Sequence, residues 1–295
     1  MVQSNVSLYI PCYNVSRFIE GCIQGVLGQT YTVDEILVVD DGSQDNTLAL
    51  AKQYPVKIIQ HSSNKGLAAA RNTAFRAAKN EFVASLDADC VPSPDWLSTL
   101  MPLMMENDVG AVGGKLIETK LECTADHWRN AHLRQDWGDS NICNPEFLFG
   151  NNNVMRRSLV LSAGGYNELM RTNGEDADVS ERIKSQGYKL VYEPTAVVAH
   201  KRQDTLSSIL DTYWRYWRFG ARAYLGESSI IDLFRYSIRH IAVDWVNAVI
   251  NDVREKNYSL LWIDFLLPFY MICRDVEAYF SQNLESPQKL VVDEG

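Results

Sequence analysis

The sequence predicts an α/β protein with a doubly wound, mostly parallel sheet and a C-terminal helical extension. Two observations predict this class. Apolar runs of strand length alternate with segments of helical spacing through the first 117 residues. Acidic or turn-forming residues follow several of these runs, as ligand-binding residues do at the carboxyl ends of parallel strands. Strand, helix and strand in this rhythm indicate right-handed parallel crossovers.

Each element has its own local signal. Pro11 stops the first apolar run, and Asp45 has the position of a helix cap. The predicted strands are 6–10, 35–40, 56–60, 81–86 and 109–117, and the predicted helices between them are 15–27, 45–54, 66–79 and 95–105. Residues 118–149 show little pattern, whereas 175–186 is predicted as a helix and 189–192 and 196–199 as short strands. From 205 onward the chain has helical spacing and many aromatic residues, so we place a boundary near 204.

Composition narrows the function. A net charge of −9 argues against a nucleic-acid-binding surface, which needs a basic footprint. The six cysteines form no Cys-x-x-Cys pair and the N-terminus has no signal-peptide pattern, so we expect a reduced, cytoplasmic protein. The longest apolar run, 260–273, contains Asp264 and is too short to span a bilayer.

The most informative segment is the apolar run that ends in Asp87-Ala-Asp89. Alternate side chains of a strand point to the same face, so both carboxylates point the same way. Two like charges at this distance raise each other's pKa unless a cation lies near them. An oxygen-liganded divalent metal with a bound phosphate resolves this conflict.

A second acidic pair, Asp40-Asp41, precedes Gly42-Ser43 at the end of the second strand. A strand-turn-helix corner explains Gly42, Ser43 and Asp45, but it does not explain two adjacent aspartates. One of them is free to accept a hydrogen bond from a ligand N–H, such as the imide of uracil. Pro11, this pair and Asp87-x-Asp89 should converge on one crevice.

With these motifs the chain resembles an inverting family 2 glycosyltransferase of the GT-A type, whose fold is Rossmann-like. Six segments fit that family's pattern in order over roughly residues 5–200. They are Val6-Ser-Leu-Tyr-Ile-Pro-Cys-Tyr-Asn14, Val38-Val-Asp-Asp-Gly-Ser43, Asn64-Lys-Gly-Leu-Ala-Ala-Ala-Arg-Asn72, Leu86-Asp-Ala-Asp89, Gly150-Asn-Asn-Asn-Val-Met-Arg-Arg157 with Gly164-Gly-Tyr166, and Gly174-Glu-Asp-Ala-Asp-Val-Ser-Glu-Arg182. The resemblance implies a catalytic domain over 1–204, with a nucleotide-binding half at about 1–117 and an acceptor half at about 118–204, and a helical extension over 205–295.

The resemblance also implies roles for single residues. Pro11 and Tyr13 would frame the base of the nucleotide, Asp41 would accept its ring N–H, and Arg71 would lie near base and phosphates. Asp87 would bind the ribose, and Asp89 would ligate Mg²⁺ or Mn²⁺ on the diphosphate. That metal would stabilise negative charge on the departing nucleotide.

On the acceptor side, the resemblance makes Asp176 the general base. Glu175, Asn151 and Asn152 would contact donor sugar or acceptor, although an acidic cluster at a helix N-terminus is also favoured by the macrodipole. His200 follows a predicted strand and is either a metal ligand or a structural histidine. His127 and His132 are five residues apart, which does not suit two ligands on one helical face, so both are predicted to be structural or acceptor-side.

The family implies a nucleotide-diphospho sugar donor, UDP-sugar first, and a saccharide or lipid-linked saccharide acceptor in cell-surface polysaccharide or glycolipid synthesis. The segment 213–222 interleaves aromatic residues with Arg215, Arg218 and Arg222. It packs on the catalytic domain, stacks against sugar rings or makes a peripheral contact with the inner face of the cell membrane.

Three alternatives remain open. Asp87-x-Asp89-x-Val91 also fits the signature of haloacid dehalogenase-like phosphatases, in which Asp87 would be the nucleophile. That signature normally opens the fold, however, and here it lies on the fourth strand. A non-catalytic sugar-binding relative would lack a catalytic group, and none is missing. A nucleotidyltransferase would need a glycine-rich basic loop after its first strand, which is not present.

Overall fold

The structure is a computed structural model that describes residues 4–170, 173–216 and 245–285. Two compact units divide the chain. The first comprises residues 1–120 and 134–203, and the second comprises 121–133 and 204–295. The short segment 121–133 thus groups with the C-terminal residues, a placement that sequence spacing does not indicate.

A nine-stranded sheet forms the first unit. Its strands are β1 (Val6–Cys12), β2 (Glu35–Asp40), β3 (Lys57–Gln60), β4 (Phe82–Leu86), β5 (Cys90–Pro92), β6 (Val109–Glu118), β7 (Ile142–Cys143), β8 (Asn152–Arg156) and β9 (Lys189–His200). Their order is β3-β2-β1-β4-β8-β6-β9-β5, and β7 pairs with β9.

Strand directions confirm the predicted fold class and refine it. β1 is parallel to β2 and β4, β2 to β3, and β6 to β9. The sheet is nevertheless mixed, because every antiparallel pairing involves β5, β7 or β8, three strands that the sequence pattern does not predict. The predicted strands 189–192 and 196–199 are one strand, β9, whose register to β6 shifts between Gly114 and Lys115.

Helices cover both faces of the sheet. Those of the first unit are α1 (Ile19–Leu27), α2 (Thr47–Ala51), α3 (Leu67–Ala77), α4 (Trp96–Met104), α6 (Arg157–Ser162) and α7 (Glu175–Ser185). On β1, Leu8 and Ile10 pack into the cluster that contains α1, α2 and α4, whereas Tyr9 packs into the cluster that contains α3, α6 and α7. This two-sided burial explains why β1 is a continuous apolar run.

The second unit is helical in its described part. Its helices are α5 (Thr124–His132), α8 (Leu206–Arg215), α9 (Val246–Arg254) and α10 (Leu261–Glu285), and none of the described helices is long and apolar enough to cross a membrane. Ala125, Trp128, Ile209, Ile263 and Leu267 belong to its core. Part of the aromatic segment 213–222, including Arg218 and Arg222, lies outside the described residues.

No helix or strand is predicted over 118–149, but the structure has the helix α5 there. Its buried face carries Asp126 and Arg129 besides Ala125 and Trp128, so the apolar period is broken. These charges are tolerated because Arg129 pairs with Asp126 and with Asp204, an acceptor 75 residues away along the chain. Local periodicity cannot reveal such a helix.

Candidate active site

The loops after β1 and β2 meet at the carboxyl edge of the sheet. The backbone N–H of Asp41 donates to the carbonyl of Cys12 at 2.8 Å. Asn14, whose φ of 54° is in the left-handed region, receives the N–H of Gln44 on its side chain at 2.8 Å and donates its own N–H to Ser43 Oγ at 2.9 Å. Pro11 is buried at the end of β1, and the Tyr13 side chain is 46% exposed beside it.

Asp41 lies against the N-terminus of α3. Its carboxylate accepts the backbone N–H of Lys65 at 2.9 Å and of Gly66 at 2.8 Å. His61 Nδ1 lies 2.6 Å from Asp41 Oδ1, and His61 Nε2 lies 2.9 Å from Thr73 Oγ1. A carboxylate has about four acceptor positions, so Asp41 retains little free capacity.

His61 is a site residue that the sequence analysis missed. It follows β3, whose carboxyl end lies at the same edge as those of β1 and β2. Its position directly after the third strand was the available signal, because ligand-binding residues follow the carboxyl ends of parallel strands.

Arg71 on α3 is the buried cation of the site, with only 2% of its surface exposed. Its Nη2 lies 3.3 Å from Asp87 Oδ1 and 3.7 Å from Glu175 Oε1. Nε and Nη1 are buried without a hydrogen-bond partner among the described residues, and so is Glu175 Oε2. Unsatisfied buried donors on a charged group are costly, which indicates a place where a ligand completes the bonding.

Gly150 gives Arg71 its space. A Cβ on Gly150 would lie 1.7 Å from Arg71 Nη1. The backbone N–H of Gly150 also donates to Asp176 Oδ2 at 3.0 Å, and its carbonyl accepts from Ser85 Oγ at 2.5 Å. Gly150 therefore lies against the Arg71 guanidinium and also forms a hydrogen bond with Asp176, the predicted base.

Acidic groups crowd around the Arg71 guanidinium. Burial raises the pKa of Asp87 to about 6 and outweighs the opposing effect of Arg71, and the charge of Asp89 raises it further, while His200 lowers it. Burial likewise raises the pKa of Glu175 to about 7 despite Arg71, with a smaller contribution from Asp176. Arg71 therefore does not offset the cost of burying these two carboxyl groups.

Asp89, His200 and Glu118 form a line at the ends of β4, β9 and β6. His200 Nε2 lies 3.2 Å from Asp89 Oδ2, and His200 Nδ1 lies 2.9 Å from Glu118 Oε1. Burial alone would raise the pKa of Asp89 and lower that of His200, but their mutual attraction brings Asp89 to about 2 and His200 to about 9.

These residues fit a divalent cation. Asp89 and His200 offer an oxygen and a nitrogen, and Glu118 orients the imidazole as carboxylates commonly do behind a metal-bound histidine. Cys90 lies within ligand distance of both, but burial raises its pKa well above the ordinary value, so it stays a thiol and does not suit a hard cation. Glu118 was not predicted as a site residue from the sequence, although it too ends a strand.

The predicted acceptor-side residues follow Gly150 and Gly174. Asp176, near the start of α7, accepts the N–H of Gly150. Asn151 donates to Gln135, and its buried Oδ1 has no hydrogen-bond partner in the part of the chain that the structure describes. Asn152 has a structural contact, because its Oδ1 accepts Trp96 Nε1–H at 2.7 Å, although its Nδ2 has no partner in that part of the chain.

Comparison with known proteins identifies the family. The model of glycosyl transferase family 2 matches residues 7–173, more than half of the chain. The glycosyltransferase AglE of Haloferax volcanii is 30% identical over 208 residues, 66% of this chain and 66% of the relative. The pre-mycofactocin glycosyltransferase of Mycobacterium tuberculosis is 28% identical over 211 residues, 68% of this chain but 44% of the relative. The chain thus matches at most about two thirds of the length of these curated relatives.

Solved structures share the fold at low sequence identity. A mannosyltransferase from Pyrobaculum calidifontis, in complex with GDP-Man and Mn²⁺, has a TM-score of 0.61 at 18% identity and covers 94% of this chain and 87% of its own. GalNAc-T7 with UDP, GalNAc and Mn²⁺ has a TM-score of 0.58 at 18% identity and covers 81% of this chain and 51% of its own. These likenesses confirm the GT-A fold. The match to the family model, over more than half of its length, shows that the chain belongs to glycosyltransferase family 2.

Proposed function

We propose that the chain is a metal-dependent inverting glycosyltransferase that moves a sugar from a nucleotide-diphospho sugar to an acceptor hydroxyl. One observation carries the proposal. Arg71 is buried between Asp87 and Glu175 with two donor nitrogens that no described residue satisfies, at the strand ends that also bear Asp89 and His200. An anionic diphosphate completes the bonding of Arg71, and a divalent cation balances the carboxylates.

The nucleotide half would bind the donor. Pro11 and Tyr13 frame the base, and the remaining acceptor capacity of Asp41 receives its ring N–H. Because His61 and the start of α3 already hold the Asp41 carboxylate, its direction is fixed before the nucleotide arrives. Asp87 accepts from the ribose hydroxyls, and the free Arg71 nitrogens donate to the diphosphate.

Asp89 and His200 would hold Mg²⁺ or Mn²⁺. When bound, the cation stabilises negative charge on the departing nucleoside diphosphate. The imidazole must be neutral to act as a ligand, so cation binding displaces the proton that Asp89 and Glu118 favour on His200. Asp89 is the ligand that needs no proton release, since its carboxylate is already ionised.

Asp176 would act as the general base. It removes the proton from the acceptor hydroxyl while that oxygen forms a bond to the anomeric carbon, and the bond to the diphosphate oxygen breaks on the opposite face. An α-linked donor then gives a β-linked product. The N–H of Gly150 orients the Asp176 carboxylate. Glu175, the free Asn151 oxygen and the free Asn152 amide are placed to contact donor sugar or acceptor.

UDP-sugar is the proposed donor and a saccharide or lipid-linked saccharide the proposed acceptor. A relative of 36% identity over 112 residues, from Escherichia coli, is named UDP-Glc:alpha-D-GlcNAc-diphosphoundecaprenol beta-1,3-glucosyltransferase WfgD; the match covers 37% of this chain and 44% of WfgD. Peripheral membrane contact for such an acceptor is supported by α10, on which Trp262, Phe265 and Phe269 are exposed at helical spacing.

Calorimetry and turnover test these roles. UDP, GDP and dTDP are titrated with and without Mn²⁺ into wild type, Asp89→Ala and Asp176→Asn, and donor turnover is measured with candidate acceptors. We expect one nucleotide to bind in a Mn²⁺-dependent way, Asp89→Ala to lose that binding, and Asp176→Asn to bind normally but lose at least ~100-fold in turnover.

Other outcomes would overturn the proposal. Failure of all three nucleotides to bind would refute the assignment of the donor site. The phosphatase alternative would then be tested, in which Asp87→Asn should abolish activity. Full activity of Asp176→Asn would show that Asp176 is not the general base. Binding of a nucleotide without turnover of its sugar by wild type, for every acceptor tested, would favour the non-catalytic sugar-binding alternative.

A further inference from the structure

A second cluster of ligand-type side chains lies in the helical unit and has no role in the reaction proposed above. His132 ends α5, Asp252 lies in α9, and Asp264 lies in the first turn of α10. His132 Nε2 is 3.1 Å from Asp252 Oδ2, and one ligand atom from each of the three residues lies within 4.8 Å of the other two. The side chains of His132 and Asp252 are 9% and 2% exposed, and Asp264 is fully buried.

The negative charge of this cluster is incompletely balanced. Asp252 lies near the C-terminus of α9, where the helix dipole disfavours an anion, and His132 Nε2 is within hydrogen-bond distance of it. Asp264 accepts Trp128 Nε1–H on Oδ1 at 2.7 Å, while its Oδ2 is buried without a hydrogen bond among the described residues. Two buried carboxylates thus share one imidazole, and an uncompensated buried charge is costly.

The geometry suits a small divalent cation. Ligands about 2.0–2.2 Å from a tetrahedral zinc ion lie roughly 3.3 Å from one another, close to the separation of His132 and Asp252. A doubly charged ion with two carboxylates and a neutral imidazole has no net charge, which burial requires.

We propose that His132, Asp252 and Asp264 form a structural site for a divalent transition metal, with Zn²⁺ the best match to one nitrogen and two oxygen ligands, which joins α5, α9 and α10. The site connects α5 to the two consecutive helices α9 and α10, and His132 and Asp252 are 120 residues apart in the chain. It shares no residue with the Asp89 cluster, and it stands whether or not the proposed sugar transfer is correct.

Metal content tests the site directly. Full-length Asp89→Ala protein, which lacks the proposed catalytic metal ligand, is loaded with Zn²⁺, passed through a desalting column and analysed by mass spectrometry for metals. We expect about one Zn²⁺ per chain. We also expect at least ~10-fold weaker zinc binding after His132→Gln or Asp264→Asn in the same background. Asp264→Asn keeps the oxygen that accepts from Trp128, so the packing of the tryptophan is retained.

A matched control lies on the same helix. Asp275 is buried in α10 and accepts Trp214 Nε1–H at 2.9 Å, but it is outside the cluster. Asp275→Asn in the Asp89→Ala background should therefore retain about one zinc ion per chain. Equal loss of zinc in Asp275→Asn and Asp264→Asn would show a general effect of disturbing α10 and would overturn the assignment.

Thermal unfolding of the Asp89→Ala protein, with and without Asp264→Asn, gives an independent readout. Zn²⁺ should raise the unfolding midpoint by about 5 °C or more, and EDTA should reverse the rise. If no cation binds at this cluster, Asp264→Asn only removes a buried charge. The unfolding midpoint measured in Zn²⁺ would then be the same or higher with Asp264→Asn than without it. That outcome, or an Asp89→Ala protein that holds no zinc, would overturn the proposal.

Discussion

Replacing Gly150 by alanine should disable the site through Arg71 alone. The added Cβ would lie 1.7 Å from Nη1, 2.5 Å from Cζ and 2.6 Å from Nη2 of Arg71, whereas ordinary contacts begin at 3.4 Å. The guanidinium must therefore move by about 1.7 Å, the difference between the first and last of these distances. Gly150 does not have a positive φ, so the contact rather than backbone strain causes the effect.

Such a shift breaks the short approach of Arg71 Nη2 to Asp87, which is 3.3 Å in the structure. Overpacking of this kind costs about 1–3 kcal/mol of unfolding free energy. A binding group misplaced by about 1 Å loses on the order of 100-fold in turnover. We expect both losses in Gly150→Ala, measured by urea unfolding and by turnover of the nucleotide sugar.

A double-mutant cycle separates this cause from general damage. In an Arg71→Ala background the colliding atoms are gone, so Gly150→Ala should add almost nothing to the loss of stability or turnover. Gly21→Ala is the matched control, since its Cβ inside α1 meets only Val91 Cγ2, at 3.9 Å, and should stabilise by about 0.5–1 kcal/mol. Additive effects of the two substitutions at 150 and 71 would refute the reasoning.

Two further predictions concern burial. Because burial raises the pKa of Glu175 from its ordinary value of 4.5 to about 7, its contribution to stability is present below pH 4.5 and is lost as pH rises through about 7. Glu175→Gln should therefore show a smaller fall in unfolding free energy between pH 5 and pH 8 than wild type, and equal falls would contradict this. Asn152→Ala should cost about 1–3 kcal/mol, because the buried Trp96 indole N–H loses its acceptor, whereas Asn151→Ala should mainly lower turnover. Denaturant unfolding midpoints and turnover are measured for both variants. An equal loss of stability in the two would contradict the different roles given to Asn151 and Asn152.

Much of the first unit was predictable because its signals are local. The runs that became β1, β2 and β4 are buried on both faces, and each carries its proline or acidic signal at or next to its last residue. Parallel strands bring such signals to one edge, so Pro11, Asp41 and Asp87 could be grouped from sequence alone. The same rule, applied to every strand end, would have included His61 and Glu118.

The elements that were missed depend on distant partners. β8 is central and antiparallel because β4 and β6 flank it, and its five residues carry three polar or charged side chains that conceal a buried strand. Asn152 was predicted to contact a ligand, yet its side-chain oxygen accepts a hydrogen bond from Trp96, 56 residues away in the chain. No local pattern distinguishes a polar residue that binds a ligand from one that holds an indole.

The sequence by itself determined the fold class and the residue types at the strand ends, since periodicity and chain order set both. Tertiary structure alone decided which charges meet. Asp89 and His200 are separated by 111 residues, Arg71 and Asp87 by 16, and His132 and Asp252 by 120. The energy of such pairs depends on distance in space and on exclusion of water, and neither quantity is written in the order of residues.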